Sequence, residues 1–104
     1  MERIEKFSQL NELFLTYKSL FTEKQIEYFN YYYTLDYSYQ EIADIYGVSR
    51  NAIFDALKKV EDNLYLYEEN LQIIKRRNER KTLIEKYLET KDIKYLEALQ
   101  RMDE

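Results

Sequence analysis

Apolar side chains recur every three or four residues along most of the chain, which is the spacing of an amphipathic helix. This spacing predicts a first helix over residues 4–21. Thr22, followed three residues later by Gln25, forms a capping box and predicts the start of a second helix. Residues 34–37 interrupt the pattern, so we expect a loop between this second helix and the next one.

A further set of capping signals predicts a helix-turn-helix. Ser38 opens a third helix with a second capping box, and this helix ends at Gly47, because glycine adopts a positive φ without penalty. Ser49 then caps a fourth helix. Ala43 supplies the small residue that is needed where the two helices cross. Residues 39–58 therefore match the helix-turn-helix pattern.

Beyond residue 60 no helix-breaking residue occurs until about residue 90. Apolar residues alternate there at spacings of three and four, and this seam predicts one long helix, followed by a short C-terminal helix. Two interpretations of the seam remain open. The long helix packs back on the N-terminal helices of its own chain, or the seam joins two copies in a homodimer. The candidate dimer residues are Leu64, Tyr67, Leu71 and Ile74.

These elements predict an all-α fold in a single domain over residues 1–104, with a helix-turn-helix core over about 22–60 and a helical extension over about 61–104. One Gly and no Pro supply too few turn residues for a strand-rich fold. No stretch approaches the roughly 20 apolar residues of a membrane span, and residues 1–14 lack the apolar core of a signal peptide. We therefore expect a cytoplasmic protein with no membrane partner.

The residue types that most enzymes use are missing from this chain. It has no His and no Cys, which excludes imidazole bases, thiol nucleophiles, disulfides and nearly all zinc sites. A single Gly excludes a Gly-rich loop of the kind that holds phosphates. We therefore predict a non-enzymatic protein with no catalytic residue, no metal site and no cofactor.

Charge is distributed unevenly along the second half of the sequence. The net charge of −4 argues against general nucleic-acid binding, which depends on neutralising phosphates. Residues 60–74 carry four acids and no base, whereas residues 75–81 carry five bases and one acid. These bases are candidate RNA contacts: Lys75, Arg76, Arg77, Arg80 and Lys81. The alternative is a solvated helix face, or an intramolecular partner for the acidic stretch.

The outward face of the fourth helix holds the candidate DNA-reading residues, Arg50, Asn51 and Lys58. A guanidinium pairs with guanine and a carboxamide with adenine in the major groove. Phe54 and Asp55 are unfavourable for DNA contact. The alternative for Phe54 is that its ring rests, partly buried, on the following long helix. The six tyrosines between residues 28 and 39 are either a base-stacking platform or the edge of the core.

Residues 20–38 and 38–71 resemble the YlxM family of small bacterial helix-turn-helix proteins. The similarity covers roughly residues 7–81, and the stretch VSRNAIFDALKK is its most specific part. The resemblance implies association with the signal recognition particle pathway, with the particle's RNA or its GTPase as the partner. The motif is more distantly similar to the promoter-reading C-terminal region of bacterial sigma factors. That likeness places four residues on base-contacting positions: Arg50, Asn51, Phe54 and Asp55.

Three functional hypotheses follow from these observations. The leading one is a regulator of the signal recognition particle pathway that binds its RNA, its GTPase, or both. The second is a transcriptional regulator that reads duplex DNA with a dimeric helix-turn-helix. The third is a protein-binding scaffold that uses exposed tyrosine and phenylalanine rings and binds no nucleic acid.

Overall fold

The computed structural model describes residues 2–103, and within that range it contains helices and no β-strand. The all-α prediction is therefore confirmed. The helices are α1 (Glu2–Tyr17), α2 (Glu23–Phe29), α3 (Tyr39–Tyr46), α4 (Arg50–Leu71), α5 (Ile73–Thr90) and α6 (Lys94–Arg101). A 3-10 turn (Lys18–Leu20) follows α1, and a π-helical turn (Asn30–Thr34) extends α2. The predicted single domain includes Met1 and Glu104, which lie outside the described residues, and it stays a prediction.

Side-chain caps start the helices at the predicted positions. Gln25 N–H donates to Thr22 Oγ1 at 3.2 Å, and Thr22 N–H donates to Gln25 Oε1 at 2.9 Å. Ser38 and Glu41 form the same reciprocal pair, with both distances at 3.1 Å. The Ser49 hydroxyl accepts the backbone N–H of the residue three positions later at 3.0 Å. Because these bonds satisfy the first free N–H groups of each helix, they fix where α2, α3 and α4 begin.

The turn of the helix-turn-helix is formed as predicted. Gly47 adopts the left-handed conformation, at φ 66°, and ends α3. The N–H groups of Gly47 and Val48 both donate to the carbonyl of Ala43, the latter at 3.1 Å. The Ala43 side chain is fully buried, as a residue at a helix crossing must be. The turn therefore sets the angle at which α4 leaves α3.

The chain divides into two compact units, one up to Asn70 and one from Leu71 onward. In the first unit, Phe14 and Phe29 stack with their ring centroids 3.9 Å apart, and they join α1 to α2. The core also takes apolar residues from α3 and α4: Ile42, Ala43, Ile53, Leu57, Val60 and Leu64. Aromatic stacking and this burial hold the helix-turn-helix against α1 and α2.

The second half of α4 packs on the N-terminal part of its own chain. The Tyr67 ring lies 5.9 Å from the Tyr17 ring and 5.7 Å from the Phe21 ring, centroid to centroid. The Tyr17 hydroxyl donates to Glu68 Oε1 at 2.6 Å. These contacts agree with the interpretation that the seam packs back intramolecularly, at least up to Glu68.

The prediction of one uninterrupted helix from the helix-turn-helix to about residue 90 is wrong. Helix α4 ends at Leu71, Gln72 adopts the left-handed conformation at φ 54° and ψ 33°, and α5 begins at Ile73. No Gly, Pro or side-chain cap marks this break. Acidic residues near the C-terminus of α4 and basic residues near the N-terminus of α5 each lie at a helix end of their own sign, so the helix dipoles do not explain the break.

The second unit is a helical hairpin in which α5 and α6 pack against each other. Lys91, at φ 57°, ends α5, and its N–H donates to the Tyr87 carbonyl at 2.6 Å. Asp92 Oδ1 then accepts the N–H of Lys94 at 3.0 Å and starts α6. The predicted restart of the chain around residues 90–92 is confirmed.

Candidate nucleic-acid interface

The first turns of α4 present the candidate DNA-reading residues to solvent. Arg50, Asn51 and Lys58 are all exposed, and so is Asp55 between them. The cap by Ser49 holds the first turn of α4 in place, so these side chains project from a fixed backbone. The structure therefore brings Arg50 and Asn51 to the position that a recognition helix requires.

Tyr39 of α3 and Phe54 of α4 occupy part of the same surface. The Arg50 guanidinium lies over the Tyr39 ring, 5.5 Å from its centroid. The Phe54 ring meets Tyr39 edge-on, with centroids 5.6 Å apart, and stays 44% exposed. Its ring partner therefore lies at the start of α3, and the alternative that Phe54 rests on the following long helix stays a prediction.

The electrostatics of the first unit oppose binding to phosphates. Lys58 Nζ lies 4.0 Å from Asp62 Oδ1, and Lys6 Nζ lies 3.5 Å from Glu61 Oε2. Residues 1–70 hold 13 acidic and seven basic side chains, a net charge of −6. Each acid near a phosphate reduces the counterion release that stabilises a complex with duplex DNA.

The second unit has the opposite charge. Residues 71–104 hold seven acidic and nine basic side chains, a net charge of +2. All five candidate RNA contacts, which we call the α5 basic patch, are exposed on the first turns of α5: Lys75, Arg76, Arg77, Arg80 and Lys81. The N-terminal end of a helix is the positive end of its dipole, so the backbone adds to the positive potential of these side chains.

Most of the candidate stacking tyrosines pack against other rings. Tyr28 is buried and meets Tyr46 edge-on, with ring centroids 4.8 Å apart. Tyr31 lies 5.0 Å from Tyr37, and Tyr32 lies 4.6 Å from Tyr39. This arrangement is typical of an aromatic edge of the core, in which most of the rings pack on one another and stay half-buried.

Tyrosine hydroxyls bind carboxylates across the first unit, and these pairs were not predicted from the sequence. Tyr33 donates to Glu61, and Tyr46 donates to Glu27. Together with the bond from Tyr17 to Glu68, they give three of the acids in this unit a structural role. Each pair joins residues at least 19 positions apart, so no local spacing signals it.

Burial and these hydrogen bonds raise the pKa of the tyrosines. Burial, reinforced by the bond to Glu61, raises the pKa of Tyr33 above its ordinary value of 10.0. Burial and the bond to Glu27 do the same for the pKa of Tyr46. Burial and a hydrogen bond with Tyr32 raise the pKa of Tyr39 to about 12, although the nearby Arg50 charge lowers it. All three phenols therefore stay neutral at physiological pH.

These raised pKa values predict that the fold loses stability in alkaline solution. A tyrosine whose pKa in the folded state lies above the unfolded value of 10.0 stabilises the fold fully below pH 10. This stabilisation is lost as the pH rises towards 12, because the unfolded chain then ionises more readily than the folded one. Replacing Tyr33 with Phe removes the bond to Glu61, so we expect a loss of about 1 kcal/mol near pH 7 and a shallower decline above pH 10. Urea unfolding followed by circular dichroism between pH 7 and pH 12 measures both effects.

The matched control for Tyr33→Phe is Tyr65→Phe, which removes a hydroxyl from a ring that is 45% exposed. It should leave both the unfolding midpoint at pH 7 and the alkaline decline close to those of the unchanged protein. Equal alkaline declines in the unchanged protein and the Tyr33→Phe variant would contradict the role of the pair.

The candidate dimer residues divide between different environments. Leu64 is fully buried, and Tyr67 is half-buried against rings of α1 and the turn after it. Leu71, the last residue of α4, is 47% exposed, while Ile74 is half-buried in α5. Because Gln72 interrupts the helix between them, the four residues do not share one continuous helical seam. The dimer stays a prediction. Two of the four candidate dimer residues, Leu64 and Tyr67, already pack inside the first unit.

This chain has the fold of a helix-turn-helix protein. Its two capped helices, α3 and α4, are joined at a left-handed glycine, and the N-terminal face of α4 is exposed. Comparison with known sequences gives the family. Residues 4–104 match the UPF0122 family, described as helix-turn-helix proteins, YlxM / p13 like. The chain therefore belongs to this family, and the resemblance that its sequence indicates is confirmed.

Individual relatives agree with the family assignment. The UPF0122 protein YlxM of Bacillus subtilis (strain 168) is 44% identical over 86 residues, which cover 83% of this chain and 78% of the relative. A UPF0122 protein of Bacillus pumilus (strain SAFR-032) is 46% identical over the same coverage. UPF0122 protein YofM of Lactococcus lactis subsp. lactis (strain IL1403) is 38% identical over 97% of this chain and 96% of its own. No described helix of the chain is long and apolar enough to span a membrane.

Proposed function

We propose that this protein is a non-enzymatic regulator of the signal recognition particle pathway and that it binds the particle's RNA through the α5 basic patch. The observation that carries the proposal is the exposure of five bases within residues 75–81, in the first half of one helix. The likeness of residues 7–81 to the YlxM family supplies the pathway. In this account the helix-turn-helix unit is a scaffold.

The helical geometry suits the patch to an RNA backbone. Within α5, Arg80 lies four residues after Arg76. Lys81 likewise lies four residues after Arg77, so the four side chains cover adjoining parts of the helix surface. Guanidinium groups bind phosphate oxygens through two parallel hydrogen bonds, and three of these four residues are arginines. Such contacts read the backbone and its shape, and they carry little sequence information.

A second candidate function is the reading of duplex DNA by α4. The exposure of Arg50 and Asn51 on its first turn favours this function, since these side chains can form paired hydrogen bonds to guanine and adenine. The net charge of −6 on residues 1–70 opposes it. For this reason we prefer RNA binding by α5 to DNA reading by α4 as the proposed function.

Fluorescence anisotropy separates the two functions. The full chain is titrated into labelled signal recognition particle RNA over a salt series, and duplex DNA of equal length is added as competitor. We expect RNA binding that persists near physiological salt and that resists the DNA competitor. Displacement of the RNA by an equal amount of DNA would contradict the proposal and favour the second function.

Absence of binding to either nucleic acid would also contradict an RNA-binding role. The pathway GTPase would then be the partner to test, by sedimentation of the two purified proteins together. If the protein is a scaffold that binds only protein, neither nucleic acid should bind even at low salt, where phosphate contacts are strongest.

A further inference from the structure

A cavity of about 370 Å³ opens beside the start of α3, on the side of the first unit where α4 begins. Its size falls in the range of roughly 300–1,000 Å³ that is typical of small-ligand sites. Three tyrosines and one arginine are among the residues that line it: Tyr32, Tyr37, Tyr39 and Arg50. Polar groups complete it, from Asp36, Ser38, Gln40 and Glu41.

The tyrosines that line the cavity are held in place by contacts with neighbouring rings and backbone. Tyr37 packs on Tyr31 with ring centroids 5.0 Å apart, and the Tyr37 N–H donates to the Tyr31 carbonyl at 2.9 Å. Tyr39 is fixed between Tyr32, at 4.6 Å, and the edge of Phe54, at 5.6 Å. The rings therefore offer flat apolar surfaces whose positions are set before any ligand arrives, which reduces the entropy lost on binding.

Arg50 supplies a positive group at the same cavity. Its guanidinium lies over the Tyr39 ring, 5.5 Å from the centroid, so this contact helps to orient the side chain. A planar guanidinium can keep one face on an aromatic ring while its N–H groups bind an anion in the plane. Arg50 is exposed, so an anion reaches it from solvent.

We propose that this cavity binds one unpaired nucleotide, with the base against the tyrosine rings and the phosphate on Arg50. Flat rings bind the π-face of any base, and the guanidinium beside them can bind a phosphate group. The mixture of polar and aromatic wall also fits a base, whose edges bear donors and acceptors around a flat apolar ring. The site uses none of the α5 basic patch, so it is a further binding function and does not depend on the patch.

The neutral state of Tyr39 agrees with this role. Because its pKa lies at about 12, the phenol carries no negative charge that would repel a phosphate on Arg50 at physiological pH. Asp36 and Glu41 also line the cavity, and the Glu41 side chain accepts the Ser38 N–H at 3.1 Å. These acids oppose a phosphate, so the phosphate contact depends on Arg50. They also disfavour a second phosphate in the cavity, so a nucleotide with one phosphate is the preferred ligand class.

The test is a titration of the ¹⁵N-labelled full chain with adenosine 5′-monophosphate, with adenosine, and with a single strand of six adenylates. We expect saturable amide shifts centred on residues 36–41 and Arg50. Arg50→Gln should weaken the monophosphate about tenfold and leave adenosine unchanged, because only the phosphate contact is lost. Tyr37→Ala should weaken both about tenfold, since it removes a stacking surface.

Lys59→Gln is the matched control, because it removes an exposed base from α4 that does not line the cavity. It should leave the affinity for all three ligands unchanged. Binding of the strand without the monophosphate would support the site and would identify an unpaired strand as the source of its nucleotide. Binding of the monophosphate would support the site with a free nucleotide as a second source. Absence of saturable shifts at these residues with every ligand, or equal weakening by Arg50→Gln and Lys59→Gln, would overturn the proposal.

The outcome is separable from that of the proposed RNA function. Replacing the bases of the α5 basic patch should leave the monophosphate titration as it is. If Tyr37→Ala fails to fold, Arg50→Gln still decides the proposal, because Arg50 is exposed and contributes nothing to the buried core.

Discussion

Leu64→Ala is expected to lower the free energy of unfolding by about 2–5 kcal/mol, a large fraction of the total stability of about 5–15 kcal/mol that is usual for a domain. Leu64 is fully buried in the first unit, where α4 packs on the N-terminal part of the chain. The substitution removes apolar contacts and leaves a cavity, and both effects destabilise the fold. Urea unfolding followed by circular dichroism measures the loss directly.

Leu71→Ala is the matched control, because it makes the same chemical change at another residue of the predicted seam. Leu71 is 47% exposed at the end of α4, so we expect a change below about 1 kcal/mol. Both curves should be independent of protein concentration if Leu64 acts within one chain. Equal losses at the two positions, together with midpoints that rise with concentration, would instead indicate a seam between two copies.

The second large effect is expected from replacing four bases of the α5 basic patch with Ala: Arg76, Arg77, Arg80 and Lys81. We expect the affinity for signal recognition particle RNA to fall roughly a hundredfold or more at moderate salt, because four phosphate contacts and their counterion release are lost. The slope of log affinity against log salt should become shallower by about 3. Anisotropy over a salt series measures affinity and slope together.

A second variant controls for the change in net charge. It replaces four exposed lysines of the first unit with Ala: Lys6, Lys18, Lys24 and Lys59. This variant loses the same charge as the patch variant, but we expect it to keep most of the RNA affinity. If both variants lose RNA binding equally, general charge and not the patch would account for the affinity.

Local signals predicted the helix-turn-helix well. The caps at Thr22, Ser38 and Ser49 and the turn at Gly47 each depend on residues within four positions of one another, so the sequence alone identifies them. The exposure of Arg50 and Asn51 followed from the same helical period. Elements that are determined by neighbouring residues could therefore be assigned before the structure was known.

Features that depend on distant residues could not be predicted in this way. The break at Gln72 lies within an apolar repeat that continues on both sides of it, and no residue type there indicates a stop. The bond from Tyr33 to Glu61 joins residues 28 positions apart. The cavity beside Tyr39 likewise requires the π-helical turn, α3 and α4 to meet, which the helical period does not specify.

The central claim is that the α5 basic patch holds the RNA backbone, and amide shift mapping tests it most directly. The ¹⁵N-labelled full chain is titrated with a short, fully base-paired RNA stem, which offers phosphates but no unpaired base. The account predicts that the largest shifts fall on residues 75–81, with small shifts on the first turns of α4. Large shifts on residues 50–58 with none on residues 75–81 would contradict it, and would assign nucleic-acid binding to the helix-turn-helix.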